Sequence, residues 1–488
     1  MREHSRNMKK KVFFDSGLLV VAWLFVTVFS YTTSPLFHVW GNTPDSPIFQ
    51  IIGKYWAEGC VPYRDLWDMK GPFILLVNAL GYGLTGTKTG VYLIQCLSLF
   101  LTLAVVFRTF LLRFSEKRSF QLTVLSLAGL SYVYEGGNMT EEYILLPLSL
   151  SFYFILRWMD GYDASRAVRH QPLFAFLYGG VLGLCLMSRL TNALGLCSAV
   201  AVVAVVLVRS REYRNLLANV GMFVLGFGAA TLPFVVYFSD HAALQDMWQA
   251  TFLFALRYAG NTQMHLSETG IHYFVLSYLN SMLLMAVGVY VGFRSKAVTV
   301  RSCLYFLSGA VPFLWFCQGN GYGHYGMIVY PMFAWAMMEI VKRRLWLFWA
   351  VALAVVVGAV SKIRFMYIMY HWDNTEVAAC RRLLDREASL DKTSFVAYGC
   401  DPNLYLELDV QPAVPVFSLQ EMGRDRIPEW KDFLSSMYRE KQPRWILVCR
   451  NMGGDSLMIE PMLSENYRKV SEDKEMQLEL YRKLKVEN

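Results

Sequence analysis

Apolar residues dominate long stretches of this chain, and short polar, often basic segments separate them. The apolar runs fall at about 17–34, 72–86, 90–112, 119–135, 142–158, 172–188, 191–208, 217–239, 271–293, 300–317, 324–341 and 345–360. Most approach or reach roughly 17–25 residues, the length of helix that crosses a bilayer. The run at 72–86 stands apart. It is short, carries Asn78 and contains Gly81, Gly83 and Gly86, which suits an interfacial or re-entrant segment. Beyond 360 the pattern changes. TSFVAY (393–398) and RWILVC (444–449) are short β-rich runs bounded by turn residues, and QLELYR (477–482) alternates apolar with polar positions. These predict strands. Helical patterns over Asp373–Leu384 and Phe433–Glu440 lie between them, and the alternation predicts a small, partly parallel α/β unit.

Composition sharpens this picture. Of 488 residues, 55% are hydrophobic and 17% charged, against about 25% charged in soluble proteins. That excludes a soluble enzyme, a disordered chain and a fibrous repeat. The basic segment Met1–Lys11 precedes an apolar run, but no small-residue cleavage site follows, so it reads as a retained first helix. The net charge of +8 does not argue for nucleic acid, because Lys and Arg set orientation in a membrane protein. Cys96, Cys185, Cys197, Cys303 and Cys317 sit in apolar runs as packing residues, and no cysteine spacing suggests zinc. Cys400 and Cys449 each end an expected strand, which leaves a disulfide open. Gly319, Gly321 and Gly323 have GxGxG spacing but follow no strand, so they are not a nucleotide fingerprint.

The basic residues decide how the runs thread. With the N-terminus inside and 72–86 not crossing, the cytoplasmic turns hold Arg108/Arg113/Lys117/Arg118, Arg157/Arg166/Arg169, Arg209/Arg211/Arg214, Arg294/Lys296/Arg301 and Lys342/Arg343/Arg344. The outer turns hold no basic residue at 136–141 or 318–323, Arg189 at 188–190 and Arg257 at 240–270. If 72–86 crossed, every later turn would invert and the positive-inside rule would fail throughout. The expected protein is therefore a polytopic α-helical membrane protein. It has about 11 transmembrane helices over 1–360, a long first outer loop at about 35–89, and a small extracytoplasmic α/β domain over 361–488.

Ionisable residues gather in two outer loops. In the first, Asp45 precedes a short amphipathic helix with Ile48, Ile51, Ile52, Tyr55 and Trp56 on one face, and Ser46-Pro47 fits a helix start. Asp65 and Asp68, three apart, are candidates to share a face, and Lys70 precedes the Gly71-Pro72 opening of the next apolar helix. The second loop, Glu135-Gly-Gly-Asn-Met-Thr-Glu-Glu142, has three carboxylates and no basic residue. Carboxylates at a membrane boundary are costly unless solvated, paired or functional. For Glu135 the expectation is ordinary loop polarity; for Asp45 and Glu141 it is function.

The first loop carries Asp45-Ser46-x-x-Phe49 and then Gly59-x-x-Pro62-Tyr63-Arg64-Asp65-Leu66-x-Asp68-x-Lys70-Gly71-Pro72. This string resembles the first outer loop of GT-C membrane glycosyltransferases that use polyprenyl-phosphate sugars: protein O-mannosyltransferases, lipid A aminoarabinose transferases and a bacterial group resembling rhizobial galacturonosyltransferases. Thr140-Glu141, His324-Tyr325 ahead of Pro331, the strand and turn at Val396–Tyr405 and the strand at Pro443–Val448 extend the resemblance over nearly the whole chain. It implies a GT-C fold and transfer of a sugar from a polyprenyl phosphate carrier to an acceptor, usually with inversion.

That reaction needs a carboxylate to take or align the acceptor's proton and cations to hold the phosphate charge that grows in the transition state. By the resemblance Asp45 is the general base, set against a plain helix cap, and Glu141 orients the acceptor or helps hold a divalent metal. Metal dependence stays open. Glu142 is the lesser choice. Lys70 binds the lipid phosphate, set against snorkelling at the interface. Arg64, Tyr63, Arg189 and His324 are further phosphate candidates, and Asp65, Asp68 and Tyr325 support the loops, the two aspartates by pairing with Arg64 and Lys70. The implied partners are a polyprenyl-linked sugar, a glycan, lipid or protein acceptor, and membrane lipids, with no nucleic acid.

A transporter is the main rival. It would tend to carry an internal repeat or charges near the centres of its spans, and the sequence has neither. A polysaccharide polymerase or ligase would lean on arginines in a large outer loop, whereas 240–270 has Arg257 alone. The charge pattern makes a direct prediction. A reporter active only in the cytoplasm, fused after Ile363, is silent; activity would overturn the eleven-span threading.

Overall fold

The computed structural model describes residues 2–37, 45–165, 168–260, 271–317, 322–343, 377–387, 392–418, 429–450 and 458–484, with Gln420 and isolated positions between 349 and 363. The last apolar run, 345–360, and the first residues of the expected helix at 373–384 lie largely outside them. The chain folds as two compact units. The first comprises Met1–Ser34, Tyr92–Val236 and Gln263–Arg364; the second gathers Pro35–Val91, Tyr237–Thr262 and Phe365–Asn488.

The first unit is helical. Its helices include Arg2–Phe29, Glu116–Val133, Leu145–Ser165, Pro172–Leu186, Leu194–Arg209, Ile271–Arg294, Val300–Phe316 and Tyr330–Arg343, with most of Lys88–Leu111 and Tyr213–Asp240. Among the described residues, four stretches are long and apolar enough to cross a membrane: Lys88–Leu111, Glu142–Ser165, Leu190–Arg209 and Tyr213–Asp240. Phe13–Phe29, Pro72–Thr85, Pro172–Leu186 and Val300–Phe316 are shorter apolar helices. The polytopic helical architecture is therefore as expected, while the total of about eleven spans remains a reading of the charge pattern. Local chemistry sets the helix starts. Pro172 occupies the first turn, where its missing N–H costs nothing. Thr299 and Ser302 form a capping box, with Ser302 N donating to Thr299 Oγ1 at 3.1 Å and Thr299 N to Ser302 Oγ at 2.9 Å. Ion pairs join helix ends: Arg301 reaches Asp160 at 2.8 Å, Asp163 at 2.9 Å and Glu339 at 3.2 Å, and Arg113 also pairs with Asp160.

The second unit contains a four-stranded sheet in the order β1-β2-β4-β3, with β1 Phe395–Tyr398, β2 Trp445–Cys449, β3 Tyr467–Asp473 and β4 Leu478–Lys483. β1 runs parallel to β2, Phe395 opposite Trp445; β2 and β3 each run antiparallel to β4. The partly parallel sheet expected from the sequence is present. Every residue of β1 and β2 is buried, which explains their unbroken apolar runs. The expected amphipathic helix appears as Trp430–Lys441, with Leu434 and Tyr438 in the sheet's core. β3 was not expected. Cys400 and Cys449 are buried and stand as two thiols, so the disulfide left open by the sequence is not formed.

The helix Asp45–Ala57 belongs to this unit and packs on Pro72–Thr85. Gly53 makes the approach possible: a Cβ there would stand 2.4 Å from Asn78 Cβ and 2.7 Å from its carbonyl carbon. Overpacking of this kind costs about 1–3 kcal/mol. Gly53→Ala is therefore expected to lower the thermal unfolding temperature of the detergent-solubilised protein; an unchanged temperature would mean the helices do not approach this closely.

Candidate functional site

In the second unit, Asp45 lies in the first turn of Asp45–Ala57, where the positive end of the helix favours a carboxylate. The helix buries Ile48, Phe49, Ile51, Ile52 and Tyr55, which fixes its rotation and leaves Asp45 partly exposed. Lys70 sits just before the helix Pro72–Thr85, whose extended cap residue is Gly71. Lys70 Nζ stands 3.4 Å from Asp45 Oδ2, with the side chains 21% and 28% exposed. Both groups are thus paired and still open to water.

The intervening loop is held firmly. Tyr63 adopts a left-handed conformation at φ 72°, is buried, and donates its hydroxyl to the Lys70 carbonyl at 2.8 Å. Its ring packs on Phe238. Asp65 accepts from Val61 N at 2.7 Å and from Arg64 at 3.0 and 3.1 Å; the Arg64 hydrogen bonds hold its carboxyl below the usual range. Arg64 also donates to the His241 carbonyl at 3.2 Å. Trp67 N donates to the Pro415 carbonyl at 2.9 Å, and its ring packs on Trp430 and Phe254.

Two expectations change here. Asp65 and Asp68 do not share a helix face, because the chain at 63–65 is a turn and 67–68 is irregular. The ion pair of Lys70 is with Asp45 rather than Asp68, while Asp65 does pair with Arg64. Asp68 is buried, with Oδ1 accepting from Met69 N at 2.8 Å. Its Oδ2 has no hydrogen-bond partner among the described residues. Burial pushes its carboxyl up to about 6; Lys70 opposes the shift and Asp45 adds to it.

The first unit holds the other candidates. Gly136 and Gly137, at φ 77° and 78°, turn the loop in a way that a side chain would resist. Thr32 donates from N and Oγ1 to the Gly136 carbonyl at 3.2 and 2.9 Å. Glu141 is buried. Its Oε1 accepts from Arg189 Nη1 at 2.8 Å and its Oε2 from Thr140 Oγ1 at 2.8 Å. Burial alone would raise its carboxyl, but His324 and Arg189 leave it below the usual range. The Arg189 guanidinium lies 3.3 Å over the Tyr325 ring centroid, a cation–π contact.

Glu142 points elsewhere, as expected for neighbouring residues. It accepts from Tyr134 Oη, from Gln95 Nε2 at 2.9 Å and from Asn138 N at 2.8 Å, so it knits the fold together. Glu135, expected to be loop polarity, accepts from His324 Nδ1 at 2.6 Å and from Gly323 N at 3.0 Å. Sequence reasoning missed this pair; the available signal was that His324 and Glu135 both lie in loops without another ion of opposite sign. No group of three or more His, Cys, Asp or Glu residues is arranged to hold a metal among the described residues.

No protein-family model matches the chain, and no curated protein sequence does. Solved structures do. ArnT from Cupriavidus metallidurans in the apo state matches with a TM-score of 0.61 at 13% identity, over 98% of this chain and 98% of that one. The chain has the fold of ArnT. ArnT from the same organism bound to undecaprenyl phosphate matches with a TM-score of 0.56 at 13% identity, over 97% of this chain and 98% of that one. At this identity the likeness concerns the fold. It agrees with the GT-C resemblance carried by the residues from Asp45 to Pro72.

The Glu141–Arg189 pair, with its carboxylate buried and its guanidinium partly so, yields a prediction. Removing one partner of a buried ion pair costs about 3–5 kcal/mol, because the other charge is left uncompensated. Arg189→Met is expected to lower thermal stability markedly, and Arg189→Met with Glu141→Gln to recover most of the loss. Equal stability of the single variant and the wild type would mean the pair contributes nothing.

Proposed function

We propose that the protein is a membrane glycosyltransferase that moves a sugar from a polyprenyl-phosphate-linked donor to an acceptor of the cell envelope. The carrying observation is the Asp45–Lys70 pair, 3.4 Å apart at the starts of two helices and partly open to water, in a chain with the fold of ArnT. The undecaprenyl phosphate bound by ArnT supports a donor of the same chemical class. The enzyme acts at the outer face of the cytoplasmic membrane, with its N-terminus inside and its C-terminal domain outside, as the charge pattern implies.

In the reaction the acceptor oxygen attacks the anomeric carbon from the face opposite the leaving phosphate. The new carbon–oxygen bond forms as the bond to the phosphate oxygen breaks, with inversion. Asp45 takes the acceptor's proton. Phosphate is a good leaving group, so strong acid catalysis is not demanded; what it needs is a positive charge to receive the negative charge that develops. Lys70 supplies it. The Asp45–Lys70 pair holds both groups ready: binding of the phosphate draws Lys70 toward it and frees the Asp45 carboxylate to act as a base. Tyr63 and Arg64 have a supporting role, since their polar groups hold the loop. In the first unit, taken by itself, Glu141 is a candidate to orient an acceptor, with Arg189 fixing its rotamer and its charge, and His324, held by Glu135, is a candidate phosphate contact.

Asp45→Asn keeps the size of the side chain but cannot take a proton. Loss of a general base typically costs about 10²–10⁴-fold in rate. The variant is expected to fold and bind donor and yet be nearly inactive in release of polyprenyl phosphate from a labelled donor. Near-normal turnover would reduce Asp45 to a helix-terminal residue. Lys70→Met is expected to lose about tenfold or more in donor use, about 1.4 kcal/mol, with little change in stability. Unchanged kinetics toward the lipid donor would leave Lys70 an interfacial anchor.

A further inference from the structure

Asp68 has no part in the chemistry just described, although it lies two residues from Lys70. It is the buried member of a three-group cluster. Lys70 and Asp45 face each other at 3.4 Å, and the charges of both act on Asp68. The charge of Asp68 acts in turn on the Tyr63 hydroxyl, which is held on the Lys70 carbonyl. One Asp68 oxygen is engaged by Met69 N, whereas Oδ2, buried, has no partner among the described residues. Buried polar atoms are nearly always satisfied. A buried carboxyl oxygen left without a partner, two residues from the Lys70–Asp45 pair, is therefore an incomplete arrangement.

We propose that Asp68 is a proton-linked partner of the donor phosphate, taking up a proton when the phosphate binds at Lys70. The proposal rests on the reading of Lys70 as the phosphate-binding residue and adds a regulation of that site. With both aspartates ionised, the cluster carries two negative charges against one positive, and a phosphate would add a third negative charge. A proton on Asp68 removes one of them and turns its orphaned oxygen from an acceptor into a donor.

The sign follows from linkage. Asp68 free of ligand titrates near 6, and a neighbouring anion moves that midpoint upward. Phosphate therefore binds best below the free midpoint. Affinity falls as the pH rises between the free and bound midpoints and is level above them. A displacement of one unit corresponds to a tenfold change.

The test measures binding of a polyprenyl phosphate methyl diester to the full-length protein in zwitterionic nanodiscs. Its single charge does not titrate between about pH 5 and about pH 8. Wild type is expected to bind on the order of tenfold more weakly at the upper end. Asp68→Asn is expected to bind with the strong, low-pH affinity throughout. A slope that persists in Asp68→Asn would belong to Asp45 and overturn the proposal, as would a flat profile in the wild type. Proton uptake by the wild type, read from calorimetry in buffers of different ionisation heat, gives a second measurement that needs no variant; zero uptake near the free midpoint is again a refutation. Lys70→Met separates the two layers. If it binds like wild type, the phosphate is not at Lys70 and both readings fall. If it binds weakly while the wild type lacks the slope, the Lys70 reading stands and the Asp68 proposal alone fails.

Discussion

A carboxylate taken out of water must be answered where it stands, and much of the polar architecture here follows from that constraint. Glu141, Glu142 and Asp68 are all buried, and each is answered differently. Glu141 meets a guanidinium, which an aromatic face covers in turn. Glu142 meets a ring of neutral donors from Gln95, Tyr134 and the Asn138 backbone. Asp68 accepts from the Met69 backbone, and burial pushes its carboxyl upward. Two adjacent residues of identical chemistry, Glu141 and Glu142, thus do separate work: the first carries a fixed ion pair, and the second ties the loop to a neighbouring helix.

Much of the fold could be read from the sequence because the signals were local. Long apolar runs became helices, and the continuous apolar strings at 395–398 and 445–449 became the two strands buried on both faces. β4 was visible through its alternation. β3, YRKVSED, was not, because it is an edge strand whose Arg468 and Lys469 face solvent. Its sequence is the polar kind that edges use to discourage pairing with other chains, and its strand identity comes from the partner β4. Most of the last apolar run and residues 261–270 lie outside the described residues.

The candidate site divided along the same line. Asp45 and Lys70 stood out because a helix start and a Gly-Pro start each mark a defined position in the chain, and the loop string resembled a known one. Their mutual pairing is tertiary, and spacing alone suggested the different partner Asp68. Glu135 was passed over for the same reason: its histidine lies 189 positions away. Sequence reasoning found individual ionisable residues well and assigned their partners poorly, because an ion pair across that distance leaves no periodic trace.

The placement of Trp67 has an architectural consequence. This residue of the first loop donates its backbone N–H to Pro415 and lays its ring on Trp430, in the core of the C-terminal sheet, with Phe254 from a third segment beside it. The terminal sheet is therefore not a detachable appendage but the wall against which the loop bearing Asp45 and Lys70 is moulded. Chimaeras that graft a foreign tail onto this chain would replace that wall. The exchangeable module is discontinuous: 35–91, 237–262 and the residues after 364 would have to travel together, and specificity engineered into one of them would be inherited by all three.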